Sequence, residues 1–376
     1  MTNQKWNERN KLTFLRPSSA TGGGLETPRR SVSVVIPTLN AGAELDELLN
    51  RLERQTQPPD EILIIDSTSD DDTLKTAKKH PLVKTHIIPQ NQFNHGGTRH
   101  LAFSMTMGDV VVFMTQDAIP KLETLIERLI RPLEETNTIA VYARQRPKED
   151  AKPREQLVRV FNYPEQSELH TKADIPTKGI KTFFLSDVCA AYRRKEYEEL
   201  GGFETNLKSN EDMFFAAKAI QSGYAIAYAA DAEVYHSHNL TLKEQYRRNK
   251  LQGYEIERHK ELLGNTSSST EGVAMLKDVS KKLLKQGRIL SIFALIFDCV
   301  ARYLGSRAGA KEYSGTSRKV ERKEPSPPFR NCKMERKEPS LPFQKGGNEL
   351  GQQRTKKRQR IAEGTGSSDP AGGESA

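Results

Sequence analysis

Cysteine is scarce: Cys189, Cys299 and Cys332 are the only three in 376 residues, and they form no CxxC pair. That spacing excludes a disulfide framework and a cysteine zinc site, and it suits a reducing compartment. The first residues, MTNQKWNERNKLTFLRPSSATGGG, lack an apolar core of signal-peptide length, so no export is expected. Long hydrophobic runs are missing too. The longest, ILSIFALIFDCV at 289–300, is short for a bilayer and contains Asp298, so no membrane-spanning helix is expected. Nor does one sign of charge dominate the body of the chain. The formal charge of +9 divides into +4 over residues 1–30, −2 over 31–306 and +7 over 307–376. Any pull toward nucleic acid or anionic lipid therefore attaches to the ends.

From Ser31 onward, apolar strands alternate with amphipathic helices. SVVIP, EILIID, VKTHII, VVVFM and TIAVYA have the length and composition of buried strands; AELDELLNRLERQ, DDTLKTAKKH, a segment from Thr98 to Met107, and LETLIERLIRPLEE have helical periodicity. This alternation predicts an α/β domain with a mostly parallel sheet and helices on both faces. Beyond Tyr142 a polar, Pro-containing stretch to about residue 180 reads as a loop with one helix. Order returns with CAAYRR, a GGF turn at 201–203, the helix EDMFFAAKAIQSGY and the strand AIAYAADAEVYHSH. Residues 272–305 read as helical, with Lys281, Lys282, Lys285 and Arg288 ahead of the apolar run, a pattern suited to docking on the domain or lying in a membrane interface.

In such sheets ligands bind beyond the carboxyl ends of the strands. Asn40 follows the first strand, Asp66 ends the second, FNHGGTRH (93–100) follows the third, and Thr115, Gln116 and Asp117 follow the fourth. Polar residues from four successive strands at one edge predict a crevice. By itself FNHGGTRH fits either a phosphate-facing loop, with glycines allowing close backbone approach and an Arg fork for oxygens, or a Gly-containing surface turn. Asp66, Asp117 and the pair Glu211 and Asp212, with His236 or His238, would suit a divalent cation bound with phosphate oxygens. Asp212 alone fits a helix cap equally, and the two histidines fit an exposed strand terminus.

Taken in order, SVVIPTLNAGAELDELLNRLERQTQPPDEILIIDSTSDDDT, FNHGGTRHLAFSMTMGDVVVFMTQDAIP, AAYRRKEYEELGGF and NEDMFFAAKAIQSGYAIAYAADAEVYHSH resemble the family 2 glycosyltransferases of the GT-A fold. The FNHG and TQDA stretches most resemble those of bacterial rhamnosyltransferases. The resemblance covers roughly residues 31–305. It implies a Rossmann-like GT-A domain at 31–271; composition alone adds an amphipathic helical segment at 272–306, a flexible lead at 1–30 and a disordered basic tail at 307–376. The resemblance also implies an inverting enzyme moving L-rhamnose from dTDP-rhamnose to a lipid-linked saccharide acceptor, with Mg2+ or Mn2+, in the cytoplasm on the inner membrane surface. Carried onto this chain, it puts Pro37, Asn40, Asp66, His95, Gly96, Arg99, Gln116 and Asp117 on the donor side. Asp117 and His236 would hold the metal, with His238 as substitute, and Asp212 would be the catalytic base. Gly202, Phe203 and Glu211 fall on the acceptor side. Thr115 stands where many relatives have the first acid of a DxD motif, and His100 where many have Asn.

The chemistry agrees with those roles. A departing diphosphate must be neutralised, and a carboxylate must accept the attacking hydroxyl's proton. Two other readings exist: a nucleotide-sugar-binding protein without turnover, and a nucleic-acid-binding protein acting through its tail. The tail holds an imperfect repeat, VERKEPSPPF and MERKEPSLPF, and the basic run RTKKRQR at 354–360. It has little aromatic interleaving for stacking on bases, so nucleic acid is the least favoured partner.

Overall fold

Nine strands form a single sheet: β1 (Val32–Thr38), β2 (Glu61–Asp66), β3 (Val83–Ile87), β4 (Val110–Met114), β5 (Ile119–Pro120), β6 (Thr138–Arg146), β7 (Glu168–His170), β8 (Cys189–Arg193) and β9 (Ala225–Tyr235). The spatial order is β3-β2-β1-β4-β8-β6-β9-β5, with β7 also paired to β9. This is a computed structural model describing residues 29–135, 137–264, 266 and 269–321. The repeat and RTKKRQR lie outside the described residues.

The helices are α1 (Glu44–Glu53), α2 (Thr73–Ala77), α3 (His95–Ser104), α4 (Leu125–Ile130), α5 (Pro153–Asn162), α6 (Ile175–Lys178), α7 (Arg194–Glu199), α8 (Glu211–Gln221), α9 (Leu242–Arg258), α10 (Lys260–Leu263), α11 (Ser269–Lys285) and α12 (Ile289–Glu321). Two large apolar clusters flank the sheet, and a smaller one joins Val158 of α5 to Met275, Val279 and Leu283 of α11 and Leu295 of α12. In one of the large clusters, Leu45, Leu48, Leu49 and Leu52 of α1 repeat at helical spacing against β1 and β2. In the other, Tyr192, Tyr197, Phe203 and Phe215 pack edge to face beneath α8.

The strands β3, β2, β1 and β4 run parallel, as the alternation predicted. The near-continuous burial of β1, β2 and β4 follows from helices on both faces, while β3 is an edge strand with no buried residue. The second half of the sheet mixes directions. β8 inserts antiparallel between β4 and β6, and β9 runs parallel to β6. Strand direction leaves no trace in hydrophobic periodicity, so this mixture was not legible. It decides the site, because the start of β8 now lies at the same edge as the ends of β1, β2, β4, β6 and β9.

Two expectations change in the C-terminal part. The helical segment does not stop at residue 306: α12 continues to Glu321, across the expected start of the tail. Its Ile289–Gly315 portion is also long and apolar enough to cross a membrane, judged by length and composition alone, where the apolar run 289–300 read as too short. Gly305 and Gly309 concealed this continuation. They weaken helix propensity, yet they lie where α12 meets α9, and a β-carbon on either would strike the α9 backbone at Tyr246 or Lys250.

Candidate active site

A crevice of about 420 Å³ opens at the carboxyl edge between β1, β4 and the start of α3, lined by Pro37, Leu39, Ser67, Phe93, His95, Arg99 and Gln116 among others. Of the donor-side expectations, Pro37, His95, Arg99 and Gln116 are brought together there. Gln116 is held by a reciprocal pair: the Leu39 N–H donates to Oε1 at 2.8 Å, and Nε2 donates to the Leu39 carbonyl at 3.1 Å. Asn40 and Asp66 are not among its lining residues. Asn40 adopts a left-handed backbone (φ 50°) and its Oδ1 accepts from the Asp70 N–H. Fully buried, Asp66 accepts from Thr38 Oγ1, Ser69 Oγ and the Ser69 N–H at 2.6–3.0 Å.

The octapeptide FNHGGTRH is neither of the loops it resembled, because it begins a helix. Asn94 caps α3, its Oδ1 accepting from the Gly97 N–H at 2.6 Å. Both glycines lie in the first turn, packed on the 204–205 backbone: a β-carbon at Gly96 would strike the Glu204 carbonyl, and one at Gly97 would crowd Asn94 and Thr205. They serve helix packing here rather than close passage of a phosphate.

Nor is Arg99 an open fork for phosphate. It is buried, its Nη1 3.0 Å from Glu211 Oε1 and its Nε 3.4 Å from Asp187 Oδ2. Tyr192 donates to the other Asp187 oxygen at 2.5 Å, and the Asp187 N–H donates to Asp212 Oδ2 at 3.2 Å. Two carboxylates thus share one guanidinium, with the Asp212 charge close by. Burial, with Asp212 and Glu211 adding to it, raises the Asp187 pKa well above the usual carboxylate range despite Arg99. Asp212, in the first turn of α8, is raised to about 6 by burial and by Glu211, against the N–H groups of Met213 and Asp187. A carboxylate titrating near neutrality suits proton acceptance. Burial also lowers His95, at the crevice wall, to about 4, with Arg99 and Arg248 contributing.

Asp187 was missed by sequence reasoning. Its signal lay only in SDV ahead of CAAYRR, which becomes informative once β8 is known to run backward.

Past β4 and β9, Asp117, His236 and His238 converge, with one ligand atom from each within 4.8 Å of the others. Both imidazole Nε2 atoms lie 3.4 Å from Asp117 Oδ2. His236 is buried, and its Nδ1 is 3.0 Å from Gln145 Oε1, an oxygen that also accepts from Arg159. An acceptor there places the His236 proton on Nδ1 and leaves the Nε2 lone pair facing the carboxylate. Lone pairs and a carboxylate aimed at one point are a donor set that fits a divalent cation.

The acceptor-side residues lie inside the fold. Phe203 is buried in the aromatic core, its N–H donating to the Tyr197 hydroxyl at 3.0 Å. Gly202 has φ 63° and sits against His100 and Tyr197, so its role is a left-handed turn. Glu211 is buried on Arg99, and none of the three presents a surface to an acceptor. His100 likewise turns to Tyr197, its Nδ1 3.3 Å from the hydroxyl, away from the donor crevice.

An edge crevice, a carboxylate near neutrality and a cation-ready cluster are what a sugar-transferring enzyme of the GT-A kind requires. The chain belongs to glycosyl transferase family 2, whose sequence model matches residues 33–201. It is 44% identical over 218 residues to the O-antigen chain rhamnosyltransferase RfbN of Salmonella typhimurium, covering 58% of this chain and 69% of that one. It is 43% identical over 220 residues to the O-antigen chain rhamnosyltransferase WbaN of Salmonella anatum, covering 58% and 70%. Among solved structures, the mannosyltransferase PcManGT of Pyrobaculum calidifontis, in complex with GDP-Man and Mn2+, matches with a TM-score of 0.49 and 20% identity, over 78% of this chain and 81% of that one.

Proposed function

We propose that this glycosyltransferase moves L-rhamnose from dTDP-rhamnose to a lipid-linked saccharide in cell-surface polysaccharide synthesis, inverting the anomeric centre. The observation carrying this reading is Asp212, a carboxylate with its pKa near 6 in the arginine network beside the crevice, in a chain 44% identical to an O-antigen chain rhamnosyltransferase. The nucleotide lies in the crevice lined by Pro37, His95 and Gln116. The acceptor hydroxyl attacks the anomeric carbon as the bond to the diphosphate oxygen breaks, and the hydroxyl proton passes to Asp212. A cation held by Asp117, His236 and His238 would neutralise the departing diphosphate. Two imidazoles beside one carboxylate favour Mn2+ over Mg2+. Arg99 holds Glu211 and Asp187 rather than the donor, and so positions Asp212.

The enzyme works on the cytoplasmic membrane face. Leu290, Phe293, Phe297, Val300 and Leu304 are exposed at helical spacing on α12, and Lys281, Lys282, Lys285 and Arg288 precede them, a pairing suited to an anionic bilayer surface.

The test is thermal stabilisation of the full chain by dTDP-, UDP- and GDP-sugars with Mn2+ or Mg2+, followed by transfer to a lipid-linked saccharide. A ligand at a hundredfold excess over its Kd adds about 2.7 kcal/mol, which is readable as a Tm shift. Stabilisation by dTDP-rhamnose with Mn2+, lost in Asp117→Ala, is expected. Stabilisation by another sugar nucleotide alone sinks the rhamnose assignment, and a retained anomeric configuration sinks the single-displacement chemistry.

A further inference from the structure

Three arginines from three helices converge on a second cavity beside the metal cluster. Arg159 of α5, Arg248 of α9 and Arg302 of α12, with Gln245 and Asn249, line a space of about 200 Å³ that reaches His238. Arg159 is engaged by Glu155 at 2.7 Å. Among the described residues, no carboxylate forms an ion pair with Arg248 or Arg302. Burial, then the Arg302 and Arg159 cations, lower the Arg248 pKa, as expected where three cations face a cavity whose one lining carboxylate, Glu155, is paired with Arg159. Planar guanidinium forks flanked by carboxamides match the oxygens of a phosphate or diphosphate.

The cavity shares no lining residue with the donor crevice. Even so, it reaches the Asp117 cluster through His238, whose Nε2 lies 3.4 Å from Asp117 Oδ2. Asp117, His236 and His238 already supply cation neutralisation on the donor's side, which leaves the arginines for a different anion. α12 adds the direction. It gives Arg302 to the cavity, while Tyr303 and Leu304, the next two residues, are exposed on its apolar side.

We propose that the Arg159, Arg248 and Arg302 cavity binds the diphosphate of the acceptor, with the lipid leaving along the exposed stripe of α12. This rests on the lipid-linked acceptor of the proposed function. It makes the arginine cavity an acceptor subsite and fixes which end of the acceptor faces Asp212.

The test is co-sedimentation of the full chain with phosphatidylcholine vesicles carrying either a polyprenyl diphosphate or phosphatidylglycerol at equal charge, using wild type, Arg302→Gln and Arg248→Gln. Wild type is expected to prefer the diphosphate vesicles by about tenfold or more, a difference of about 1.4 kcal/mol. Both variants should lose that preference while their thermal stabilisation by dTDP-rhamnose and Mn2+ stays within about twofold in apparent affinity. Equal wild-type binding to both vesicles overturns the proposal, as does a preference surviving in both variants. A parallel loss of nucleotide-sugar binding in Arg302→Gln overturns it as well, by assigning the cavity to the donor's diphosphate. Wild-type transfer to a soluble uncharged saccharide, with no vesicle preference, sinks this inference and leaves glycosyl transfer standing. Absence of both nucleotide-sugar binding and transfer sinks the proposed function itself.

Discussion

With Asp212 as the proposed base, activity and stability pull in opposite directions on one residue. Its folded pKa of about 6 lies above the ordinary 3.8, so the native state binds the proton more tightly than the unfolded chain. The charged form therefore weakens the fold above pH 6, and that cost fades as pH falls through 6 toward 4. Replacing it with asparagine should raise stability at pH 8 by about 1–3 kcal/mol, with the gain gone near pH 4, measurable as Tm against pH. Transfer should drop by about 10²-fold or more with nucleotide-sugar binding retained. Wild-type transfer should rise with pH through about 6 as the base ionises. Arg99 makes the reverse case. It is buried between Glu211 and Asp187, so Arg99→Met leaves buried carboxylates unpaired and should cost about 3 kcal/mol or more in urea unfolding. Adding Glu211→Gln to Arg99→Met should recover part of that loss.

At the scale of elements, close helix contacts explain several glycines that read otherwise in one dimension. Gly253 of α9 and Gly305 and Gly309 of α12 lie where the two helix backbones nearly touch, with Ser306, Tyr246 and Lys250 as the opposing atoms. Gly309→Val should destabilise the chain by about 1–3 kcal/mol by forcing α12 off α9, seen as a lower urea midpoint. An ion pair at 2.5 Å from Arg154 of α5 to Asp298 fixes α12 at its other contact. The Asp298 that argued against a membrane span therefore has a partner inside the fold. Gly96 shows the same principle in α3. A glycine pair followed by Arg looks like a phosphate loop because flexibility and close approach are visible in sequence, whereas the identity of the approaching atom is not.

Across the whole molecule, the proposed function assigns the polar edge of the sheet to the sugar nucleotide and the apolar side of α12 to a lipid surface. Leu290→Ser with Phe297→Ser should reduce sedimentation with anionic vesicles by about tenfold while stabilisation by nucleotide sugar persists. Unchanged vesicle binding would remove the stripe from membrane contact. EILIID became β2 and VVVFM became β4 because buried parallel strands announce themselves by composition, and Asn40, Asp66 and Asp117 were already at the strand ends from which a crevice is built. The sequence alone thus determined the α/β class, a mostly parallel sheet that holds only for β3, β2, β1 and β4 and the β6–β9 pair, and the naming of Asp117, His236 and Asp212 as candidates. Only the tertiary structure decided that β8 runs antiparallel and delivers Asp187, that Arg99 is spent on carboxylates, that Phe203 is core and that Arg302 meets Arg248 and Arg159. Each of those depends on contacts between segments far apart in the chain, and periodicity reports only what a residue's near neighbours do.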